Sequence, residues 1–116
     1  MSWAVQFHAD FAREADAFSE PIRVELIGAV RLLEQFGPGL GRPTADTLNG
    51  SKHANMKEPR FRADGGVWRI AFAFDPRRKA ILLVGGDKSG VASGAFYRAL
   101  IKRADARFDH HLESLS

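Results

Sequence analysis

No cysteine occurs in the 116 residues, which removes disulfides, thiol nucleophiles and thiolate zinc sites from consideration. Missing too is any apolar run approaching the roughly 20 residues that a membrane span needs. The start, MSWAVQFHADFAREADAF, has no basic segment leading into an apolar one. No secretory signal is therefore expected, and the cytoplasm is the expected address. Histidine is scarce, with four in all. His110 and His111 are neighbours that point apart on a helix, and His8 stands alone, so no chelating pair and no metal are expected. Bases are scarce in the first 51 residues: Arg13, Arg23, Arg31 and Arg42 face seven acids, whereas thirteen bases face seven acids from Lys52 onward.

The net charge of +3 is therefore polarised, about −3 before Lys52 and +6 after it. A polarised domain of this kind suits a polyanion, most often nucleic acid, or an acidic protein partner. Charge alone is equally well explained by solvated surface. With 45% hydrophobic and 27% charged residues, nine Phe and two Trp, the chain has the composition of one globular domain spanning residues 1–116.

Hydrophobic periodicity changes partway along. Trp3 to Phe7 alternates weakly and reads as a short strand, at a sheet edge. Phe11, Ala15 and Phe18 then recur at helical spacing. Ser19 as N-cap, with Glu20 and Pro21 in the first turn, opens a second helix with Ile22, Leu26, Val30 and Leu33 on one stripe. Gly37 to Pro43, GPGLGRP, ends it. Met56–Ala63, Val67–Phe74 and Ala80–Asp87 read as three strands joined by short turns, an antiparallel meander. Phe96, Leu100, Ala104, Phe108 and Leu112 mark a C-terminal helix whose remaining surface carries Arg98, Lys102, Arg103 and Arg107. The expected class is α+β: an N-terminal strand and helical hairpin packed on a small twisted antiparallel sheet, plus a C-terminal helix, in the order β-α-α-β-β-β-α.

Strand alternation locates the candidate chemistry. In VWRIAFAF the bulky Trp68, Ile70, Phe72 and Phe74 share one face, leaving Arg69 with Val67, Ala71 and Ala73 on another, expected to be open. Arg60 and Arg62 share a side with Glu58 in the preceding strand, and hairpin pairing brings them to Arg69. Clustered guanidiniums repel unless an anion joins them, and their planar fork matches phosphate. A charged face is also ordinary on a half-buried antiparallel sheet. Lys52 and Lys57 lie upstream, Lys88 follows the last strand, and Tyr97 stands near the start of the last helix. Such a set suits RNA cleavage without a metal: a base takes the 2′-hydroxyl proton, an acid protonates the leaving oxygen, and cations stabilise the phosphorane. A cationic setting is expected to depress a Lys or Tyr pKa, and Tyr97 could stack on a splayed base. His53 is a helper at most. Asp64, Asp75 and Asp87 each abut a turn and are explained by it. GPGLG and VGGDKSG lack phosphate-loop spacing, so no nucleotide or other small-molecule cofactor is expected.

The blocks LNGSKHANMKEPRFR, WRIAFAFDPRRKAILLVGGDKSG and FYRALIKRADARFDHHL resemble the phage-derived, HigB-like branch of the RelE/ParE superfamily of toxin-antitoxin toxins. The resemblance covers essentially the whole chain. It implies a RelE-like fold and a toxin that cleaves mRNA in the A site of the translating 70S ribosome. It also implies neutralisation by a cognate helix-turn-helix antitoxin. By that resemblance the catalytic residues fall on Lys57, Arg60, Arg69, Lys88 and Tyr97. Lys52, His53, Arg62, Arg98 and Lys102 are then the RNA- and phosphate-binding residues. The superfamily also contains ParE-like inhibitors of DNA gyrase that are not nucleases, and a non-catalytic RNA- or antitoxin-binding module is a third reading. Pro59 departs from the block's usual apolar residue and, lacking an N–H, suggests an edge or bulge.

Overall fold

The computed structural model describes residues 2–42 and 44–115; Pro43, at the end of the expected breaker, lies outside them. The elements are β1 (Val5–Phe7), α1 (Ala9–Asp16), α2 (Glu20–Phe36), a single 3-10 turn (Gly37–Gly39), β2 (Ala45–Thr47), β3 (Lys57–Ala63), β4 (Gly66–Phe74), β5 (Ala80–Asp87) and α3 (Ser93–Ser114). They form a five-stranded sheet in the order β1-β5-β4-β3-β2. The β2–β3, β3–β4 and β4–β5 pairs are antiparallel, while β1 sits at one edge parallel to β5.

Local chemistry sets the boundaries. The His8 ring accepts the Asp10 N–H at 3.1 Å and so caps α1. Ser19 does occupy the N-cap of α2, with Pro21 behind it, but its buried hydroxyl has no partner among the described residues. α2 ends at Gly37, whose φ of +57° and contact with the Trp3 ring exclude a side chain. Asp64 and Gly65, both with positive φ, close the β3–β4 hairpin in the two-residue turn that suits the sheet's twist. The β4–β5 turn hangs on Asp75, whose Oδ1 accepts the N–H groups of Arg77 and Lys79, both at 2.9 Å.

Both faces of the sheet are covered. Phe11, Leu26 and Leu33 from the helical hairpin pack on Ile70, Phe72 and Leu82. On the opposite face, Phe96, Leu100, Ala104 and Phe108 of α3 pack on Ala71, Ala73, Ile81, Leu83 and Val84. The small-residue face of β4, expected to be open, is instead the seat of α3, because Ala71 and Ala73 let a helix approach closely. Burying each large α3 side chain there contributes about 1.5–3 kcal/mol. A bulge in β5 opposite Ala71 and Phe72 places both Leu83 and Val84 toward α3 and frees the Leu83 carbonyl, which accepts from Arg107 at 2.8 Å.

α3 is tied down along its C-terminal half. Arg107 is not free surface: it pairs with both Glu14 carboxylate oxygens, which holds that carboxyl below its usual pKa. His111 Nε2 meets the buried Asp75 at 2.8 Å, and His110 meets His8 at 3.3 Å. The N-cap of α3 is Ala92, which offers no side-chain bond.

Candidate active site

Pro59 does not put β3 at an edge. β2 pairs along it, Ala45 with Pro59, Asp46 with Glu58 and Thr47 with Lys57. The missing N–H is instead felt on the β4 side, where pairing is present at Lys57 and from Arg60 onward but absent at Glu58 and Pro59. The facing of Arg60 survives: it lies directly across from Arg69.

Those two arginines do meet an anion, and it is the protein's own. Glu58, 3% exposed, lies on the same face. Its Oε1 accepts the Tyr97 hydroxyl at 2.7 Å and stands 3.3 Å from Arg69 Nε and 3.8 Å from Arg60 Nη2. Arg69, 9% exposed, also donates from Nε to the Tyr97 oxygen at 3.2 Å. Lys88 Nζ lies 5.4 Å from the centre of the Tyr97 ring. Arg60, Arg69 and Tyr97 are thus brought together around a carboxylate absent from the expected site, with Lys88 against the Tyr97 ring. Its signal was present, since Glu58 alternates in register with Arg60 and Arg62.

Burial raises the Glu58 carboxyl above its usual pKa, and the Tyr97 bond and the two arginines offset only part of this. The Tyr97 phenol is also raised, first by burial and then by its bond to Glu58. The expectation of a depressed phenol is therefore corrected: Tyr97 is held neutral as a donor, and the strengthened base is Glu58. A cleft of about 320 Å³ opens beside the pair, lined by Asp46, Thr47, Leu48, Asn49, Glu58, Arg60 and Tyr97. A second, about 340 Å³, is lined by Arg60, Phe61, Arg62, Val67 and Arg69, which places Arg62 on the same surface.

Other candidates go elsewhere. Lys57 faces the opposite side of the sheet, where its Nζ donates to the Pro38 carbonyl at 3.0 Å. Lys52 pairs with Asp109, and its backbone N–H bonds Asp105 at 3.1 Å. His53 Nε2 meets Asp109 at 2.9 Å with its ring edge on Phe108, 4.8 Å between centroids. Lys52 and His53 therefore pin the loop before β3 to α3, because Asp105 and Asp109 lie one turn apart on the helix flank facing that loop. Arg98 and Lys102 are exposed on α3 and make no ion pair among the described residues.

A family model described as phage derived protein Gp49-like matches residues 13–109. The chain belongs to the Gp49-like family. Its relatives include two proteins of Mycobacterium tuberculosis. The putative toxin HigB3 is 46% identical over 104 residues, 90% of this chain and 84% of that protein. The putative toxin HigB2 is 47% identical over 88 residues, 75% of this chain, and the match spans only 43% of that longer protein. These relatives put this Gp49-like chain in the HigB-like branch expected from its motifs. The same architecture occurs in a doubly substituted Escherichia coli RelE toxin solved in its free state, with a TM-score of 0.59 over 88% of this chain and 96% of that one. At 10% identity that likeness is one of fold. Among the described residues no helix is long and apolar enough to cross a membrane.

Proposed function

We propose that this Gp49-like chain is the toxin of a toxin-antitoxin pair, that residues 1–116 form one toxin unit, and that it cleaves mRNA on the ribosome in the cytoplasm. The observation that carries the reading is the cross-strand Arg60–Arg69 pair bracketing a buried, base-strengthened Glu58 at the mouth of an open cleft. In the proposed reaction Glu58 takes the proton of an RNA 2′-hydroxyl. The freed oxygen attacks the adjacent phosphorus, the bond to the 5′-oxygen breaks, and a 2′,3′-cyclic phosphate and a 5′-hydroxyl result. Arg60, Arg69 and Arg62 hold the phosphate and stabilise the charge that builds on it. The Lys88 ammonium, poised over the Tyr97 ring, protonates the leaving oxygen. Tyr97 orients Glu58. Lys57, Lys52 and His53 support the site's frame rather than the reacting atoms. The partners of this reading are ribosome-bound mRNA and a helix-turn-helix antitoxin.

Induction of the chain, with primer extension on translated messages, tests this. Wild type is expected to cut, and Arg60→Ala, at a half-exposed position where folding is spared, to lower the rate about 10²–10³-fold. Glu58→Gln should do the same with its fold retained. Intact messages alongside trapped gyrase–DNA complexes would replace this reading with the ParE-like one.

A further inference from the structure

β5 runs for eight residues, yet β1 pairs only with Ala80, Ile81 and Leu82. The next carbonyl, Leu83, is taken by Arg107. Beyond it the outer edge of β5 meets no strand among the described residues. Alternation fixes which groups face out. Lys88 gives its N–H inward to Val67 at 2.8 Å, so Gly86 and Val84 bond toward β4 while Gly85 and Asp87 point N–H and C=O outward. Among the described residues these outward groups have no backbone partner.

Sheet edges are usually guarded by lysine, proline or long side chains. This one has Gly85 and Gly86, where an added Cβ would come within 2.8 Å of Ile70 and 2.9 Å of Phe96. Packing on both faces thus forbids a shielding side chain. The edge opens into a groove of about 260 Å³ against the flank of α3, walled in part by Val91, Ala95, Ala99 and Arg103. Val91 is 46% exposed there. Arg103 is the charged side chain that lines the groove, and the Asp87 carboxylate is turned away to the N–H groups of Val67 and Ser89.

We propose that this edge accepts a short extended segment of an acidic partner peptide as an added strand in line with β1. Its main chain bonds Gly85 and Asp87, an apolar side chain enters the groove against Val91 and Ala99, and a carboxylate meets Arg103. Val84 to Asp87 span about 13 Å, room for roughly four residues of the guest. A second copy of this chain is the poorer occupant, since edge-to-edge pairing would set one Arg103-lined groove against another and supply no carboxylate to either. The surface lies at the β5 end of the sheet, away from the β2–β3 cleft, and does not depend on the nuclease reading.

Selection from a displayed library of random short peptides, followed by amide NMR of the complex, tests this. Enriched peptides are expected to be acidic with alternating apolar residues and to shift and protect the Gly85 and Asp87 amides. Arg103→Glu should weaken them at least about fivefold without changing the melting temperature, while Arg31→Glu, on the outer side of α2, should have no effect. No enrichment, basic enriched sequences, shifts centred on Glu58 and Arg60, or dimerisation of the free chain through this edge would each overturn the proposal.

Discussion

Replacing Tyr97 by Phe removes one oxygen atom and leaves the ring on Phe96 and Lys88. That oxygen makes two bonds, donating to Glu58 at 2.7 Å and accepting from Arg69 at 3.2 Å. A hydrogen bond to a charged group is worth about 1.5–3 kcal/mol, but the adjoining cleft lets water take part of the load, so about 1–2 kcal/mol is the expected loss. In a domain of this size that corresponds to a fall in Tm of roughly 4–10 °C. Glu58→Gln keeps the acceptor oxygen and removes the charge, so a double-mutant cycle should give a coupling of about 0.5–1.5 kcal/mol between positions 58 and 97. The cycle also has a pH signature. Because burial raises the Glu58 pKa from its ordinary 4.5, its contribution to stability is present below that value and lost as pH rises through the folded-state pKa. Glu58→Gln should abolish that decline, measured by urea denaturation across pH. A Tyr97→Phe variant as stable as wild type, with no coupling and an unchanged pH profile, would refute the network.

Arg107→Met should cost about 2–3 kcal/mol, since it strands Glu14 and the Leu83 carbonyl. The same variant should flatten the acid limb of the stability curve. The lowered Glu14 pKa contributes stability above its ordinary 4.5 that is lost as pH falls through the folded-state value. Gly37→Ala should destabilise by about 1–3 kcal/mol, because it combines positive φ with a collision against Trp3, while Gly65→Ala, at positive φ but in open space, should cost less; melting curves of the pair separate collision from backbone strain.

Periodic elements were legible in the sequence because their signals are local. The three long strands, both hairpin helices and the C-terminal helix lie within a few residues of their expected bounds, and the Arg60–Arg69 juxtaposition follows from alternation and one tight turn. β2 escaped because three residues following a glycine- and proline-rich stretch show no period. Which face α3 would cover was invisible for another reason. Alanines at 71 and 73 read equally as an open surface or as space for a helix, and only the long-range packing decides. The same holds for Asp105 and Asp109, more than fifty residues from the Lys52 and His53 they hold. The candidate site was half legible: its cations followed from the pattern, and alternation put Glu58 on their side, but its burial and its bond to Tyr97 depend on long-range packing.

The unequal fastening of α3 sets an order of events on heating. Arg107, Asp109 and His111 hold its later turns, whereas the first turn begins at an uncapped Ala92 and carries Tyr97 one turn further in. Opening the first two turns frees Phe96 and Tyr97 but none of those ion pairs, so their amides should exchange with solvent before those from Ala104 onward. The clasp on Glu58 is then lost by fraying while the sheet remains intact, and the chain can be folded by every spectroscopic measure yet lack an assembled site. Thermal disassembly of the site and thermal unfolding would be two separate transitions, with the first governed by the opening two turns of α3.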